Sequence, residues 1–345
     1  MKIWILGGIA DEQTGLYILD ACRRITKDVV FTDVRRIMEE LPTPEIQKTI
    51  IDELNDLHIT PDLILVMQGK ELKVETLHTI KEKFPKATLV NWFFDKYFGG
   101  GAIYDTEHMD VLEAYDYFFC SMKGVADKLK EKGINAYYLD EACDPNYHYV
   151  EYYNPFQKRK YGEDIAFVGN LGHFDIHPNR IPALQRVIKE GFNIKIWGDI
   201  ACDMKYIPAD IKTYHTGMIV INRAHSIVAN TSLINLGLDH GTDIELGQSA
   251  RIFRVMCAGG LYLSDNVLGL NKLFKLNESE DAPITKDQEI VVFYNIDDMI
   301  RKMDFLLEHD DIRKAIAENG RKKVTEEHTF DIRIKEMLEI INETK

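Results

Sequence analysis

Cysteine is scarce and scattered in this chain. Its five residues, at 22, 120, 143, 202 and 257, are an odd number without a Cys-x-x-Cys pair, so nothing suggests zinc or redox chemistry and the thiols read as reduced and buried. Positive charge is short as well. The 42 Lys and Arg against 56 Asp and Glu leave a net charge of -14, which disfavours broad binding to nucleic acid or to an anionic membrane. No apolar run approaches the roughly 18 residues that span a bilayer, and the opening Met-Lys-Ile-Trp-Ile-Leu-Gly-Gly lacks a signal-peptide core. The expected compartment is the cytoplasm. Also missing are an internal repeat, which excludes a solenoid, and both the G-x-G-x-x-G fingerprint and the Walker loop.

What is present is ordinary for a soluble globular protein: 45% hydrophobic and 28% charged residues. A length of 345 residues exceeds what one core usually serves, so two domains are expected. Short apolar runs ending in Gly or Asp alternate with longer amphipathic segments, the pattern of βα units on a parallel sheet. Strands are predicted at 2–6, 29–34, 62–67, 87–94, 115–121 and 136–139, with helices at 14–25 and 44–58 and one ending at Gly133. Residues 144–163 carry two prolines, five tyrosines and the basic run 158–160 without periodicity, and mark an interdomain crossover. Alternation restarts at 164, with strands at 165–168, 193–197, 232–236, 261–263 and 290–294 and helices at 179–190, 249–258 and 297–308. Two charged helices, 312–327 and 329–342, end the chain. The reading is α/β, with one domain over 1–150, a second over 151–325 and a last segment over 326–345.

Open parallel sheets take ligands outside the carboxyl ends of their strands, and with two such domains the natural site is the cleft between them. Strand-end residues are therefore the candidates. Gly169-Asn170-Leu171-Gly172 follows an apolar strand, where glycines let main-chain N–H groups approach a phosphate, although a βα turn needs glycine for its geometry anyway. Gly7-Gly8 and Gly15 make a similar turn in the first half. Arg251 and Arg254 share one face near the start of a helix with Ser249 as its N-cap and Gly259 as its stop. There the two cations repel each other and the helix dipole, so an anion would turn them into a clamp; the alternative is pairing with Glu245 or Asp243. Asp95 ends the run Asn91-Trp92-Phe93-Phe94, where desolvation would suit it to base work, or it caps a turn. His173-Phe-Asp175-Ile-His177 has no second group of ligands at metal spacing, and His173 is read as a polar contact to substrate.

With these residues in view, the second half resembles a known pattern. Phe167-Val-Gly-Asn-Leu-Gly followed by Arg180, then Ile196-Trp-Gly, Arg251-Ile-Phe-Arg-Val-Met-Cys-Ala-Gly-Gly, Glu289-Ile-Val-Val-Phe-Tyr, Ala317-Glu-Asn-Gly-Arg321 and His328-Thr-Phe-Asp-Ile-Arg333 occur in the order of CgeB-type (spore maturation protein) glycosyltransferases. The similarity covers roughly residues 160–340, and more loosely 92–95, 115–121 and 138–145. It implies a GT-B architecture of two facing Rossmann-like domains, with the last helix returning to the first domain. It also implies a nucleotide-sugar donor on the carboxy-terminal domain, an acceptor on the other, and neither metal nor cofactor, the leaving diphosphate being offset by helix N-termini and basic side chains. By position, Gly169, Asn170 and Gly172 line the diphosphate turn, Arg180 and Arg251 are phosphate cations, Trp197, Gly198 and Gly217 lie near the base, and Gly7 and Gly8 face the acceptor.

One departure matters. Related proteins read Arg-x-Phe-Glu where this chain has Arg254, and that glutamate is expected to accept from the donor ribose. An arginine only donates, so either Glu245 or Asp243 supplies the acceptor, or the donor differs, or activity is lost. The expected function is transfer of a sugar from a nucleoside diphosphate donor to a hydroxyl acceptor, with retention of configuration. Asp95 or His173 would orient or deprotonate the acceptor. The competing readings are a nucleotide-sugar epimerase and an inactive nucleotide-sugar-binding protein.

Overall fold

Six strands, β1 (Ile3–Gly7), β2 (Val29–Asp33), β3 (Leu63–Met67), β4 (Thr88–Phe93), β5 (Tyr117–Cys120) and β6 (Ala136–Tyr138), form one parallel sheet of order β2-β1-β3-β4-β5-β6. The computed structural model describes residues 1–9, 14–41, 43–70, 72–95, 109–172, 174, 177–200, 202–239 and 242–344. Strands β1, β3 and β4 are buried along their whole length, which is why they read as unbroken apolar runs and not as alternation. The edge strand β2 is half-buried. Helix α1 (Thr14–Ile25) joins β1 to β2, and α2 (Val34–Glu40) and α3 (Thr43–Asn55) lead to β3. The sequence implied one helix over 44–58 here; the structure has two, because the Asp33 carboxylate accepts from the Arg36 main-chain N–H at 3.1 Å and starts a helix earlier. Helices α4 (Val74–Lys83), α5 (Met109–Glu113) and α6 (Lys123–Glu131) follow.

Strand order fixes where this sheet can bind a ligand. From β1 the chain moves outward to β2, then crosses back over β1 to β3 and continues the other way. Right-handed crossovers therefore put α1 on one face and α3, α4 and α6 on the other. The connections leave β1 and β3 toward opposite faces, and the carboxyl ends of those two strands are the switch point.

The second unit begins with α7 (Pro155–Tyr161) and carries β7 (Ile165–Val168), α8 (Arg180–Lys189), β8 (Ile194–Trp197), α9 (Ala209–Tyr214), α10 (Asn222–Thr231) and β9 (Ile234–Gly237). Then come α11 (Arg251–Cys257), β10 (Tyr262–Asp265), β11 (Val291–Phe293), α12 (Ile296–Glu308) and α13 (Asp310–Glu327). Its parallel sheet runs β11-β10-β9-β7-β8, so its switch point lies between β7 and β9. Phe167, Leu184, Leu236, Leu263 and Met303 are among the buried side chains that hold sheet and helices together. Two expectations fail locally. The stretch 144–163, read as non-helical, holds α7, whose seven residues are too few to show periodicity. It is started by a capping box in which Asn154 and Gln157 bond each other's main chain at 2.9 and 3.0 Å, with Pro155 in the first turn. Ser249 does not cap α11; Ala250 occupies that place, and the Ser249 hydroxyl is buried without a hydrogen-bond partner.

The last helix, α14 (Phe330–Glu343), belongs with the first sheet: the two units are Met1–Glu141 with Phe330–Lys345, and Ala142–Thr329. Phe330 is fully buried between the Tyr17 and Trp92 rings, with centroids 5.7 and 6.1 Å away. Arg24 on α1 pairs with Asp331 at 2.7 Å, and the Tyr117 hydroxyl bonds that of Thr344 at 2.9 Å. The helix thus packs beside α1 on the face that α1 alone would leave open. Among the described residues no helix is long and apolar enough to cross a membrane.

Candidate functional site

At the switch point of the second unit, two arginines from different helices converge. Arg180 opens α8 after β7 and is 8% exposed; its Nε donates to the Leu238 carbonyl at 3.0 Å and its Nη1 to the Asn170 carbonyl at 2.8 Å. Arg251 opens α11 after β9. Its Nη2 donates to the Asp239 carboxylate at 2.8 Å and to Leu238 at 3.4 Å, its Nε to the Tyr262 hydroxyl at 3.1 Å, and its Nη1 to the Val168 carbonyl. Both guanidinium groups sit over the Phe167 ring, 5.7 and 5.4 Å from its centroid, a cation–π arrangement.

The electrostatics follow from burial. Arg180 is pushed down to about 9 by loss of solvent and by the charge of Arg251. For Arg251 burial also opposes the charge, but Tyr262 and Asp239 outweigh it and hold the guanidinium protonated. Asp265, at the end of β10, is raised well above the ordinary carboxylate range by burial and by neighbouring Asp239, whose main-chain N–H donates to it at 3.0 Å. Asp239 also accepts from the Ser249 N–H at 3.2 Å, so it ties β9, β10 and the start of α11 together.

Of the second-half residues singled out above, Gly169, Asn170, Arg180 and Arg251 lie together here. The acid paired with Arg251 is Asp239, not Glu245 or Asp243. Gly169 makes room for it: a Cβ there would lie 2.6 Å from Arg251 Nη1 and 2.8 Å from Phe167 Cζ. Asn170 is exposed, and its side chain accepts from the Asp199 N–H at 3.4 Å. Gly198, at φ 128, packs its main chain on that of Gly169, and Gly172, at φ 97, is backed by Cys202. Gly217, at φ 70, has open space where a side chain would be. Trp197 does not face ligand: it is 1% exposed and stacks on Tyr161 at 5.7 Å in the core, because strand alternation turns it inward. Glu245 pairs with Lys272 at 2.5 Å. Arg254, one turn along α11, lies beside His148 and His225, whose rings are 6.5 Å apart; burial first, and then Arg254, drive both imidazoles below their ordinary range, His225 to about 3. His173 lies outside the described residues. Among the described residues no three His, Cys, Asp or Glu side chains could hold a metal ion.

Sequence reasoning missed Asp239, Tyr262 and Asp265. The signal was available for the two acids, since each ends an apolar strand run as Asp95 does.

The first unit has its own site at the β1–β3 switch point, a cavity of about 400 Å³ lined by Gly7, Gly8 and Gly15 on one side and Gln68 and Lys70 on the other. At its rim Asp95 accepts from Gln68 Nε2 at 2.9 Å and Lys70 Nζ at 3.2 Å. With 38% of its side chain exposed and an ammonium beside it, Asp95 is solvated and paired, in place of the desolvated setting expected for it. Gln68 adopts φ 64, uncommon for a residue with a side chain, and its carbonyl is held by Asn91 Nδ2 at 3.0 Å.

Residues 180–339 match the family model described as glycosyl transferase-like. No curated protein matches the sequence. Among solved structures, sucrose-phosphate synthase from Thermosynechococcus elongatus is similar with a TM-score of 0.67 at 10% identity, over 100% of this chain and 99% of that one. An alpha-glucosyltransferase in complex with UDP-glucose and DNA containing an abasic site gives 0.66 at 10% identity, over 99% of each chain. A putative UDP-N-acetylglucosamine 2-epimerase from Listeria monocytogenes gives 0.58 at 10%, over 99% and 96%. At these identities the likeness establishes the fold: an α/β protein with two parallel sheets, resembling GT-B glycosyltransferases.

Proposed function

We propose that this protein is a glycosyltransferase that moves a sugar from a nucleoside diphosphate donor to a hydroxyl acceptor, with retention of configuration, without a metal ion or cofactor, and of CgeB type. The observation that supports it most is the paired cation at the β7–β9 switch point, at the point where the match to the glycosyl transferase-like family begins. Arg180 and Arg251 crowd each other around one carbonyl, so positive potential is built in by folding before any ligand arrives. An anionic diphosphate relieves that repulsion, and more so as the bond to the sugar breaks and charge gathers on the leaving oxygen. In this reading Asn170 and Gly172 offer main-chain N–H groups to the diphosphate, Gly169, whose own N–H is donated to the Trp197 carbonyl at 2.9 Å, shapes the turn, and Arg251 acts mainly by bracing Arg180 and the strand ends. Gly198 and Gly217 border the base, and Glu245 or Asp243 accepts from the ribose in place of the glutamate replaced by Arg254. The acceptor oxygen bonds to the anomeric carbon on the face from which the diphosphate leaves, as the carbon–oxygen bond to the diphosphate breaks, and its proton passes to an oxygen of the departing diphosphate.

The test is a thermal-shift panel of nucleoside diphosphates and their sugar conjugates, followed by product analysis with hydroxyl acceptors. A ligand at 100 times its dissociation constant stabilises by about 2.7 kcal/mol, and Arg180→Ala should abolish that response while the variant still folds. No stabilisation by any member of the panel overturns the reading. The likeness to an epimerase gives a second reading one observation in its favour; conversion of the donor alone into an epimer or a glycal, with no acceptor present, would select it.

A further inference from the structure

In a chain with a net charge of -14, one face of the second unit is built from segments without an acid. Residues 152–162 and 211–238 hold none of the 56 Asp and Glu of the sequence, and the helices they contain, α7 and α10, pack along each other. Tyr161 sets the inner side of α7: it stacks on Trp197 and packs with Val220 and Ala224. The outer side then carries Phe156 with Arg159 and Lys160 three and four positions on, and Lys158 beside them. All three cations are exposed, and among the described residues none of their side chains has an ion-pair partner; the Lys160 ammonium lies 4.9 Å from the Tyr161 ring centroid. The acids that flank α7, Glu151 and Glu163, are held by Arg223 at 2.9 Å and Lys195 at 3.9 Å. Lys195 also donates to the Arg159 and Gly162 carbonyls at 2.9 and 2.7 Å, so a cation covers the negative end of α7 as well. Apolar side chains stand in the same face. Tyr152 is 90% exposed, Phe156 64% and Ile219 65%. Val220 turns into the core with Trp197, so Ile219 and Ile221 on either side of it in the extended chain turn out. Apolar groups scattered singly over a surface need no explanation, but a cluster of them among unpaired cations does.

We propose that this face binds the surface of a membrane rich in anionic lipid. It combines the two features that hold a protein there: free cations for the lipid phosphates, and apolar side chains that enter the boundary between headgroups and acyl chains. The stems of Lys158 and Lys160 can lie along the apolar layer with their ammonium groups at the phosphates, and Tyr152 presents a ring with a polar tip, as suits that depth. Charges act over about 10 Å in physiological salt, so the acids elsewhere in the chain oppose this patch only weakly. A second copy of the chain fits less well, because lysine is depleted at the centre of protein interfaces. Nucleic acid also fits less well, since Ile219 and Ile221 offer neither charge to a phosphate nor a ring to a base.

The experiment is flotation of the full-length protein with vesicles of phosphatidylcholine alone and of phosphatidylcholine with one third phosphatidylglycerol, at low and at high salt. The mixed vesicles should bind at least tenfold more tightly, and high salt should release the protein from them. Replacing all three cations, by Lys158→Gln, Arg159→Gln and Lys160→Gln together, should abolish the preference for the anionic vesicles. Independently, Phe156→Ser with Ile219→Ser should weaken binding tenfold or more at unchanged charge. All five side chains are exposed, so both variants should fold, which circular dichroism and thermal unfolding check; the charge variant carries the test if the other does not fold. Equal binding to the two kinds of vesicle, binding to neither, or unchanged binding in a folded variant overturns the proposal. So does a dimer, seen by light scattering, that Phe156→Ser with Ile219→Ser dissociates while vesicles stay unbound, and so does salt-sensitive binding of duplex DNA without binding of vesicles.

Discussion

Arg180 and Arg251 donate to the same oxygen, the main-chain carbonyl of Leu238, from 3.0 and 3.4 Å. Two cations placed this close repel, and only the fold keeps them there: Asn170 and Val168 offer their carbonyls, Asp239 its carboxylate, and Phe167 its ring face. The arrangement gathers the carboxyl ends of β7, β9 and β10 into one structure. It explains how a site can be both rigid and electropositive without an exposed arginine.

Arg251 is therefore expected to be essential to the fold as well as to turnover. It is 11% exposed and its partner Asp239 1% exposed at the side chain, and removing one member of a buried pair typically costs about 3–5 kcal/mol because the other charge is left unpaired. Arg251→Met should lower unfolding free energy in urea by that order, and Arg251→Met with Asp239→Leu should recover a substantial part of it. A single variant as stable as wild type would mean that the pair is solvated.

Gly169 should not tolerate alanine. Its main chain has no special conformation to protect, but the new Cβ would press on Arg251 Nη1 at 2.6 Å and Phe167 Cζ at 2.8 Å, atoms pinned by the contacts above. Overpacking of this kind costs about 1–3 kcal/mol. Gly169→Ala should show that loss in denaturant melts, and the Arg251→Met background should reduce it, since the obstructing group is gone.

Much of this was legible in the sequence, and the limits have physical causes. Strands such as β1 and β4 were clear because central parallel strands are buried on both faces and read as solid apolar runs. Arg251 was found because it lies near the start of a helix, and Arg180 through its place in the order of motifs that carries the family resemblance. Their partners were harder: Asp239 meets Arg251 across the loop that joins β9 to α11, 12 positions apart in sequence, and no local spacing encodes that. Trp197 was misjudged as a ligand contact because a strand-end position says nothing about which face its side chain takes. Helix α7 was too short to show a period, although Asn154-Pro155 and Gln157 announced its start.

Stability of the second unit should fall in acid through His225. Its ring is 7% exposed, and burial, then Arg254 and Arg251, push it from the ordinary 6.5 to about 3. The unfolded chain then binds the extra proton between those values, so stability rises with pH from about 3 to 6.5 and is lost as pH falls through that window. The expected slope from this group is on the order of 1 kcal/mol per pH unit. In urea melts between pH 4 and 7, His225→Phe should have a shallower slope than wild type; parallel slopes would show that the imidazole is protonated in the folded protein.

Asp140 works in the opposite direction in the first unit. It is 3% exposed, and burial raises its carboxyl from 3.8 to about 7 against the pull of Arg333 and of the Tyr138 hydroxyl, which donates to it at 2.8 Å. Here the folded protein holds the extra proton, so the contribution is fully present below pH 4 and is lost as pH rises toward 7, again on the order of 1 kcal/mol per unit. Asp140→Asn keeps an oxygen for the Glu141 N–H, which donates at 2.8 Å, and its amide can donate to the Tyr138 hydroxyl, so the site stays bonded without a titrating group. The variant should match wild type near pH 4 and become progressively more stable than it up to pH 7. A constant difference across that range would place the Asp140 proton elsewhere.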